Sequence, residues 1–360
     1  RQMAFVAGPR QVGKTTTCRE LGDVYLDWDN EDHRALILEG PGAVAQHAGI
    51  EQLSEAPVRI VFDELHKYKR WKQFLKGFFD TYEDRSRIMV TGSSRLDVYR
   101  KGGDSLMGRY FLYRMHPFSV AELCRQEPSA DPSEAPARLP DDDWQALWEF
   151  GGHPEPYVKR SRRFSLRWRE LRRQQLLRED IRDTTGIQDL DQLAVMARLL
   201  AERSSDQLIY TTLARQVRVS ENTVRSWVAT LCSFHYGFIV RPWYRNVTKA
   251  LRKEPKWFLR DWSRIKDPGK RAETFCACHL LKAVEGWTDL GLGTFELRYL
   301  RDLQKREVDF LVVRDDEPWF LVEAKSGEPA LSPHLDYFQK QTGAEHAFQV
   351  SMNADYVDAD

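Results

Sequence analysis

Eight residues near the start of the chain, Gly8 to Thr15, carry the spacing G-x-x-x-x-G-K-[ST]. The two glycines let the backbone turn tightly and bring its N–H groups close to an anion, and a following helix points its positive dipole end at the same charge. Lys14 can reach the β and γ phosphates of a nucleoside triphosphate, and the Thr15 hydroxyl can bind Mg2+. The loop therefore predicts a site for ATP and Mg2+. Its candidate ATP contacts are Gly8, Pro9, Arg10, Gln11, Val12, Gly13, Lys14, Thr15 and Thr16.

A carboxylate pair, Asp63 and Glu64, follows the apolar run Ile60, Val61 and Phe62. Such a run is typical of a fully buried parallel strand, so the pair is expected at the strand's C-terminal end. Asp63 is predicted to orient Mg2+ through coordinated water, and Glu64 to polarise the attacking water in an in-line phosphoryl transfer. The alternative is an acidic pair that only caps the strand.

Two further candidates follow in the chain. The segment RIMVTGSS predicts a third strand that ends in polar residues, and Ser93 there is placed to contact the γ phosphate, because strand ends on one edge of a parallel sheet share a crevice. Arg109 directly precedes another predicted strand. It is an arginine-finger candidate, a group that accelerates phosphoryl transfer by roughly 10³ to 10⁵ in known systems. The alternative for Arg109 is a sheet-edge arginine without a catalytic role.

The length and composition bound the elements that position these residues. A chain of 360 residues favours two to four domains. With 54 basic and 54 acidic residues, net charge gives no argument for nucleic acid. No apolar run is long enough to cross a bilayer, no signal peptide is visible, and the five cysteines are too few and scattered for disulfides or zinc. A cytoplasmic protein without membrane contact is expected. Because an apolar strand begins near Arg1, we also expect a natural N-terminal segment to precede it.

The order of motifs, Walker A loop, Walker B pair, TGSS, Gly108-Arg109 before a strand and then Pro117-Phe118-Ser119, resembles prokaryotic AAA+ ATPases that carry a C-terminal domain of unknown function. In that family a G-G-x-P loop begins a helical lid and contacts the nucleotide. The residues Gly151 to Pro154 match it, so the resemblance adds Gly152 and Pro154 to the ATP contacts. The alternative is a plain helix-entry turn. We expect a homo-oligomer, with a hexameric ring as one form.

A stretch rich in Pro, Ser, Ala and acidic residues, RQEPSADPSEAPARLPDDD, predicts an exposed linker and a domain boundary. The strongest basic patch of the chain follows it on one predicted helix. Its candidate DNA phosphate contacts are Arg162, Arg163, Arg172 and Arg173. The alternative is a solvated helix face, or arginines that pair with acids in a subunit interface.

The segment from Asp206 to Tyr244 has the pattern of a helix-turn-helix, with Ser220 opening the second helix and GFIVRPWYRN as a wing. Asn222 and Arg225 are its candidate DNA contacts. A single strongly cationic residue on that helix argues against high-affinity base readout, and a packing module inside the ATPase is the alternative.

Three β segments near the C-terminus resemble the PD-(D/E)xK nuclease fold. Asp309 lies on one of them, and Glu323 and Lys325 are two residues apart on the next, so they project from one face. The resemblance implies Mg2+ at Asp309 and Glu323, with Glu273 and Lys325 in supporting roles. In this group the fold is often kept with a degraded site, so a local ion pair in an inactive domain is the alternative.

The sequence thus predicts an α/β chain: a P-loop ATPase core of the AAA+ and RecA-like type with a parallel sheet (residues 1–125), a linker and helical lid (126–200), a winged helix (201–255) and a nuclease-like α/β domain (256–360). We expect a Mg-dependent ATPase that couples hydrolysis to action on DNA, with a nuclease-like domain that is active or inactive. Two other functions stay open, a nucleotide-dependent regulatory switch that binds protein partners and an ATP-dependent DNA nuclease.

Overall fold

The computed structural model describes residues 2–51, 56–92, 106–124, 137–182, 185–244, 254–327 and 330–353. The chain divides into two compact units, Arg1–Pro117 and Phe118–Asp360. No helix in these described ranges is long and apolar enough to cross a bilayer. The finer sequence boundaries, after residues 125, 200 and 255, remain predictions.

The first unit is a five-stranded parallel sheet with helices, as the apolar strand pattern predicts. Its elements are β1 Met3–Ala7, α1 Lys14–Leu21, β2 Val24–Asp27, α2 Glu31–Glu39, α3 Pro41–His47, β3 Val58–Asp63, α4 Trp71–Tyr82, β4 Ser86–Gly92 and β5 Tyr110–Arg114.

The strand order of this sheet is β2-β3-β4-β1-β5. Residue Val90 of β4 pairs with Phe5 of β1 on one side and with Phe62 of β3 on the other. Strand β4 therefore lies between β1, which leads into the glycine loop, and β3, which ends at Asp63. Because all the strands run parallel, the carboxyl ends of β1, β3 and β4 meet at one edge, which is where ligands bind in open α/β sheets.

Helix α4 packs against the sheet through one apolar face. Its buried residues recur at the spacing of one helix face, which places a broad apolar stripe against the sheet. They are Trp71, Phe74, Leu75, Phe78 and Phe79. The fully buried Phe62 of β3 meets two of these rings edge-on, at centroid distances of 5.6 and 5.7 Å. This packing fixes the strand that carries the carboxylate pair.

The second unit begins with helices and ends in a mixed sheet. Its helices are α5 Val120–Cys124, α6 Asp141–Phe150, α7 Pro154–Lys159, α8 Arg162–Gln175, α9 Leu190–Glu202, α10 Tyr210–Val217, α11 Glu221–Ser233, α12 Pro268–Asp289 and α13 Pro333–Thr342. Its strands are β6 Gly237–Pro242, β7 Lys256–Leu259, β8 Phe295–Arg301, β9 Glu307–Arg314, β10 Glu317–Lys325 and β11 His346–Ser351. A π-helical segment, Leu176–Ile181, continues α8.

The six strands follow the order β11-β10-β9-β8-β6-β7. Strand β6 joins the predicted winged helix to the predicted nuclease-like sheet, because it pairs antiparallel with β7 and parallel with β8. Its residue Phe238 pairs with Phe258, and its Arg241 with Arg298. The two predicted modules therefore share one continuous sheet.

Candidate functional site

The loop predicted to bind phosphates has a backbone conformation that favours glycine at two positions. Gly8 has φ +156°, and a Cβ built there would lie 2.1 Å from the carbonyl oxygen of Met115. Gly13, immediately before α1, has φ +100°. A side chain at either position would force the backbone to move, because L residues rarely adopt such conformations. Gly8 is thus required by the close approach of the Met115 carbonyl, and Gly13 by a positive φ that L residues rarely adopt.

Lys14 is the first residue of α1 and is buried. Its Nζ donates hydrogen bonds to the carbonyl oxygens of Gly8 at 3.0 Å and Pro9 at 2.7 Å. Burial lowers the pKa of Lys14 to about 8, against the raising effect of the Glu64 and Asp63 carboxylates. The loop carbonyls therefore hold the ammonium inside the cradle, where phosphate oxygens would compete for the same donor.

Asp63, at the end of β3, accepts hydrogen bonds from three hydroxyl groups. Thr15 Oγ1 donates to Asp63 Oδ2 at 2.8 Å, and Tyr25 OH donates to the same oxygen at 2.6 Å. Thr91 Oγ1, at the end of β4, donates to Oδ1. Both oxygens of a nearly buried carboxylate are thereby oriented.

The hydrogen bond between Thr15 and Asp63 brings together two side chains that could bind Mg2+. Mg2+ takes oxygen ligands and is commonly held by one or two carboxylates together with substrate phosphates. The Thr15 hydroxyl and the Asp63 carboxylate, which are hydrogen-bonded to each other, provide such oxygen ligands. The residues fit a nucleotide-bound Mg2+, which Thr15 and Asp63 would hold.

Tyr25 of β2 is a site residue that the sequence motifs miss. Strand β2 lies beside β3, with Tyr25 paired to Val61 and Asp27 to Asp63. Burial, followed by the hydrogen bond to Asp63, raises the pKa of the Tyr25 phenol far above its ordinary value. The phenol therefore keeps its proton and stays a donor to Asp63.

Glu64 has φ +54°, a left-handed conformation that is uncommon for a non-glycine residue. Such conformations cluster at functional sites, where the surrounding fold maintains them. Burial raises the pKa of Glu64, against the lowering effect of Lys67. Its Oε2 lies 3.3 Å from Lys67 Nζ and 3.7 Å from His66 Nε2. The Glu64 carboxylate thus lies against two cationic or potentially cationic side chains, within the electrostatic influence of Asp63.

Of the other catalytic candidates, Arg109 is paired within its own unit. Its Nε and Nη2 donate to Asp80 at 2.6 and 3.1 Å. Ser93 lies outside the described residues. The lid candidates belong to the second unit, where the Gly152 carbonyl accepts a 2.7 Å hydrogen bond from Phe118 N–H and Pro154 begins α7. Contacts of Gly152 and Pro154 with ATP remain predictions.

The four arginines of the basic helix have different surroundings. Arg162 and Arg163 are exposed at the start of α8. The Arg172 guanidinium lies over the Trp168 ring, 5.4 Å from its centroid, and burial lowers its pKa to about 10. Arg173 pairs with Glu170 at 3.1 and 2.6 Å. The first pair is thus open to solvent, whereas the second is engaged within the helix.

Helices α10 and α11 lie in the segment that the sequence predicts to be a helix-turn-helix. Ser220 caps α11 by accepting a 3.0 Å hydrogen bond from Thr223 N–H. Asn222 is exposed. The Arg225 guanidinium donates to Glu221 at 3.0 and 2.5 Å and lies 4.0 Å from the centroid of the Tyr210 ring. The single cation on this helix is therefore held by neighbouring side chains.

The predicted nuclease centre lies on β9 and β10. As the alternation predicts, Glu323 and Lys325 share a face, with Lys325 Nζ donating to Glu323 Oε1 at 2.6 Å. Asp309 Oδ2 accepts a hydrogen bond from Ala324 N–H at 2.9 Å. Burial raises the pKa of Glu323, and the nearby Asp309 raises it further.

A lysine that the motif does not contain, Lys256 at the start of β7, belongs to this centre. Its Nζ lies 2.7 Å from Glu273 Oε1, 2.5 Å from Glu307 Oε1 and 3.5 Å from Asp309 Oδ1. Burial lowers the pKa of Lys256, but the three carboxylates more than offset that effect, so its pKa is raised. Across the described part of the chain, no group of three or more His, Cys, Asp and Glu side chains is arranged to hold a metal ion. The two carboxylates predicted to hold a nuclease Mg2+ are instead paired with lysines, Asp309 with Lys256 and Glu323 with Lys325.

The parallel sheet, the glycine loop and the oriented carboxylate at its edge define a P-loop nucleotide-binding domain. Residues 1–124 match the family model described as an AAA domain, and this match supports a P-loop ATPase of the AAA+ class. Residues 141–264 and 268–358 match two models, each described as a domain of unknown function (DUF8612 and DUF4143).

Two mycobacterial proteins are similar in sequence. They are the uncharacterized protein Mb2031c of Mycobacterium bovis and the uncharacterized protein Rv2008c of Mycobacterium tuberculosis, each 25% identical over 266 residues, or 72% of this chain and 54% of theirs. The chain spans about half the length of these relatives. Among solved structures, the Aeropyrum pernix Orc1 protein in complex with DNA shares 13% identity over 77% of this chain and 86% of that one, with a TM-score of 0.29.

Proposed function

We propose that the chain is a Mg-dependent AAA+ ATPase that couples ATP binding and hydrolysis to action on DNA, as a DNA-stimulated motor or remodelling enzyme. The observation that carries the ATPase part is the set of hydroxyls on Asp63. Thr15 from the start of α1, Tyr25 from β2 and Thr91 from β4 all donate to that one carboxylate. Four separate segments thus converge at the edge of the sheet, next to the Lys14 cradle.

Each residue has a distinct role in this proposal. Mg2+ supplies charge neutralisation for the phosphates when it is bound with the nucleotide. Lys14 exchanges its loop carbonyls for phosphate oxygens, and Thr15 and Asp63 hold the ion. Glu64 accepts a hydrogen bond from the attacking water, and its raised pKa matches a group that must receive a proton.

Two variants separate binding from turnover. Lys14→Ala is expected to weaken ATP binding, whereas Glu64→Gln should bind ATP with near wild-type affinity and lose hydrolysis by about 10²-fold or more. Calorimetry with ATP and a phosphate-release assay measure the two quantities. Glu39→Gln, an exposed glutamate at the end of α2, is the matched control. Full turnover in Glu64→Gln would remove the proposed water-polarising role.

The DNA part of the proposal is supported by the exposed basic start of α8. Arg162 and Arg163 are open to solvent, and each phosphate contact contributes a salt-dependent term to binding. The double variant Arg162→Ala/Arg163→Ala should reduce the slope of log K against log salt by about 1.4 to 1.8 units if both arginines contact phosphates. Arg173→Ala, whose guanidinium is already paired with Glu170, is the control. An unchanged slope in the double variant would exclude this helix end as the phosphate contact.

Assembly is the remaining part of the proposal. Arg109 acts on the γ phosphate of a neighbouring protomer in a homo-oligomeric ring, and it leaves Asp80 to do so. Arg109→Ala protomers mixed with Glu64→Gln protomers should recover part of the activity, because each supplies what the other lacks. No recovery at any mixing ratio, with assembly verified, would contradict a shared site. ATP turnover without stimulation by any DNA would instead favour the regulatory switch.

A further inference from the structure

The nuclease-like centre of the second unit contains four carboxylates, and each one has a charged partner from the chain itself. Lys256 contacts Glu273, Glu307 and Asp309, and Lys325 contacts Glu323. Arg301 Nη1 donates a hydrogen bond to Glu307 Oε2 at 2.6 Å. Three cationic side chains therefore lie against the four acids.

Lys256 lies where these carboxylates converge. Its side chain is 4% exposed, and the side chains of its three partners are 16 to 22% exposed. A buried ammonium is costly unless it is paired, and here three acceptors surround it at 2.5 to 3.5 Å. Such convergence of oxygen donors on one cation is the arrangement that a divalent ion takes in other carboxylate sites.

The centre is nevertheless open to ions. It lines a cleft of about 710 Å3 whose wall includes Lys256, Glu273 and Glu307 together with Lys270 and Arg301. Solvent cations can therefore reach Glu273 and Glu307, and exclusion of a metal ion from them must come from the ammonium rather than from a closed surface.

We infer that Lys256 is a built-in replacement for a metal ion: its ammonium group takes the cation position among Glu273, Glu307 and Asp309, so the centre binds no divalent metal and does not cleave DNA. This inference concerns the second unit and does not depend on the proposed ATPase function. It has a direct consequence. Removing the ammonium while leaving space should turn the centre into a metal site.

The test uses the full chain without nucleotide and compares three lysine variants with the wild type. Lys256→Ala leaves three facing carboxylates and a space, Lys256→Met fills that space with a neutral chain, and Lys270→Ala removes another cleft lysine, which pairs with Asp206 at 2.5 Å. Binding of Mn2+ is followed by electron paramagnetic resonance and calorimetry, and stability by the Tm.

Both Lys256 variants should lower the Tm on the order of 10 °C, because the carboxylates lose their counter-ion. Only Lys256→Ala should bind one more Mn2+ than the wild type, and saturating Mn2+ should raise its Tm by roughly 5 °C or more. Lys270→Ala should gain no Mn2+ site. If Lys256→Ala folds only with Mn2+ present, the inference is equally supported.

Two results would overturn the inference. The first is folded Lys256→Ala that gains no Mn2+ and no stability from it. The second needs no lysine variant: wild-type protein that binds Mn2+ at a site lost in Asp309→Asn would show that the ammonium does not replace the metal. This wild-type comparison decides the matter even if both Lys256 variants fail to fold.

Discussion

The phenol of Tyr25 gives the sharpest test of how the ATP site is held together. Tyr25→Phe removes one hydroxyl and leaves the ring, so it deletes the 2.6 Å hydrogen bond to Asp63 Oδ2 without opening a cavity. A hydrogen bond to a charged group contributes about 1.5 to 3 kcal/mol. Because Tyr25 is only half-buried, the lower end of that range applies. A loss of about 1.5 kcal/mol corresponds to roughly tenfold in an equilibrium constant.

We therefore expect Tyr25→Phe to weaken the apparent Mg2+ affinity of ATP turnover by about tenfold, while nucleotide affinity measured without Mg2+ stays near the wild-type value. The assay is steady-state ATP hydrolysis over a range of Mg2+ concentrations at saturating ATP. Tyr68→Phe is the matched control, because the Tyr68 ring stacks on Trp28 at 4.9 Å and its phenol is not among the three hydroxyls that donate to Asp63. A folded Tyr25→Phe protein with wild-type Mg2+ dependence would refute the role of the phenol in orienting Asp63.

Two other predictions concern the loop and the second unit. Gly8→Ala should reduce ATP affinity by at least tenfold in calorimetry, because the new Cβ meets the Met115 carbonyl; an Ala variant with unchanged affinity would contradict the close approach. Burial lowers the pKa of His279 from 6.5 to about 4. Its Nε2 accepts a hydrogen bond from Val120 N–H, and its Nδ1 is hydrogen-bonded to the Phe275 carbonyl oxygen. Stability from neutral His279 is complete above pH 6.5 and should fall by on the order of 3 kcal/mol towards pH 4. Denaturant unfolding across this range should show a flatter pH dependence in His279→Gln.

The candidate ATP site of the first unit was predictable because its signals are local. The strand before the loop, the buried run before Asp63 and the strand that ends at Gly92 each follow from continuous apolar residues, and the structure confirms a parallel sheet. Tyr25 was not predictable in this way. It lies 38 residues from Asp63, and only the pairing of β2 with β3 brings the two together.

The second unit shows the same limit more strongly. Lys256 reaches carboxylates that are between 17 and 53 residues away, and the segment KWFL carries no sign that its lysine is buried. Arg172 differs, since Trp168 is four residues earlier on the same helix face and a stacked pair could have been expected from that spacing. A count of the basic residues on a helix does not show which of its arginines stack on aromatic side chains of the same helix.

Strand β6 has a consequence for how the second unit is handled in the laboratory. Because its two edges hydrogen-bond to β7 and β8, a cut through the chain after residue 255 would strip a partner from strands on both sides. Bare strand edges recruit other chains and promote aggregation. The predicted helix-turn-helix segment and the carboxylate sheet are thus expected to be expressed and purified together, as one unit.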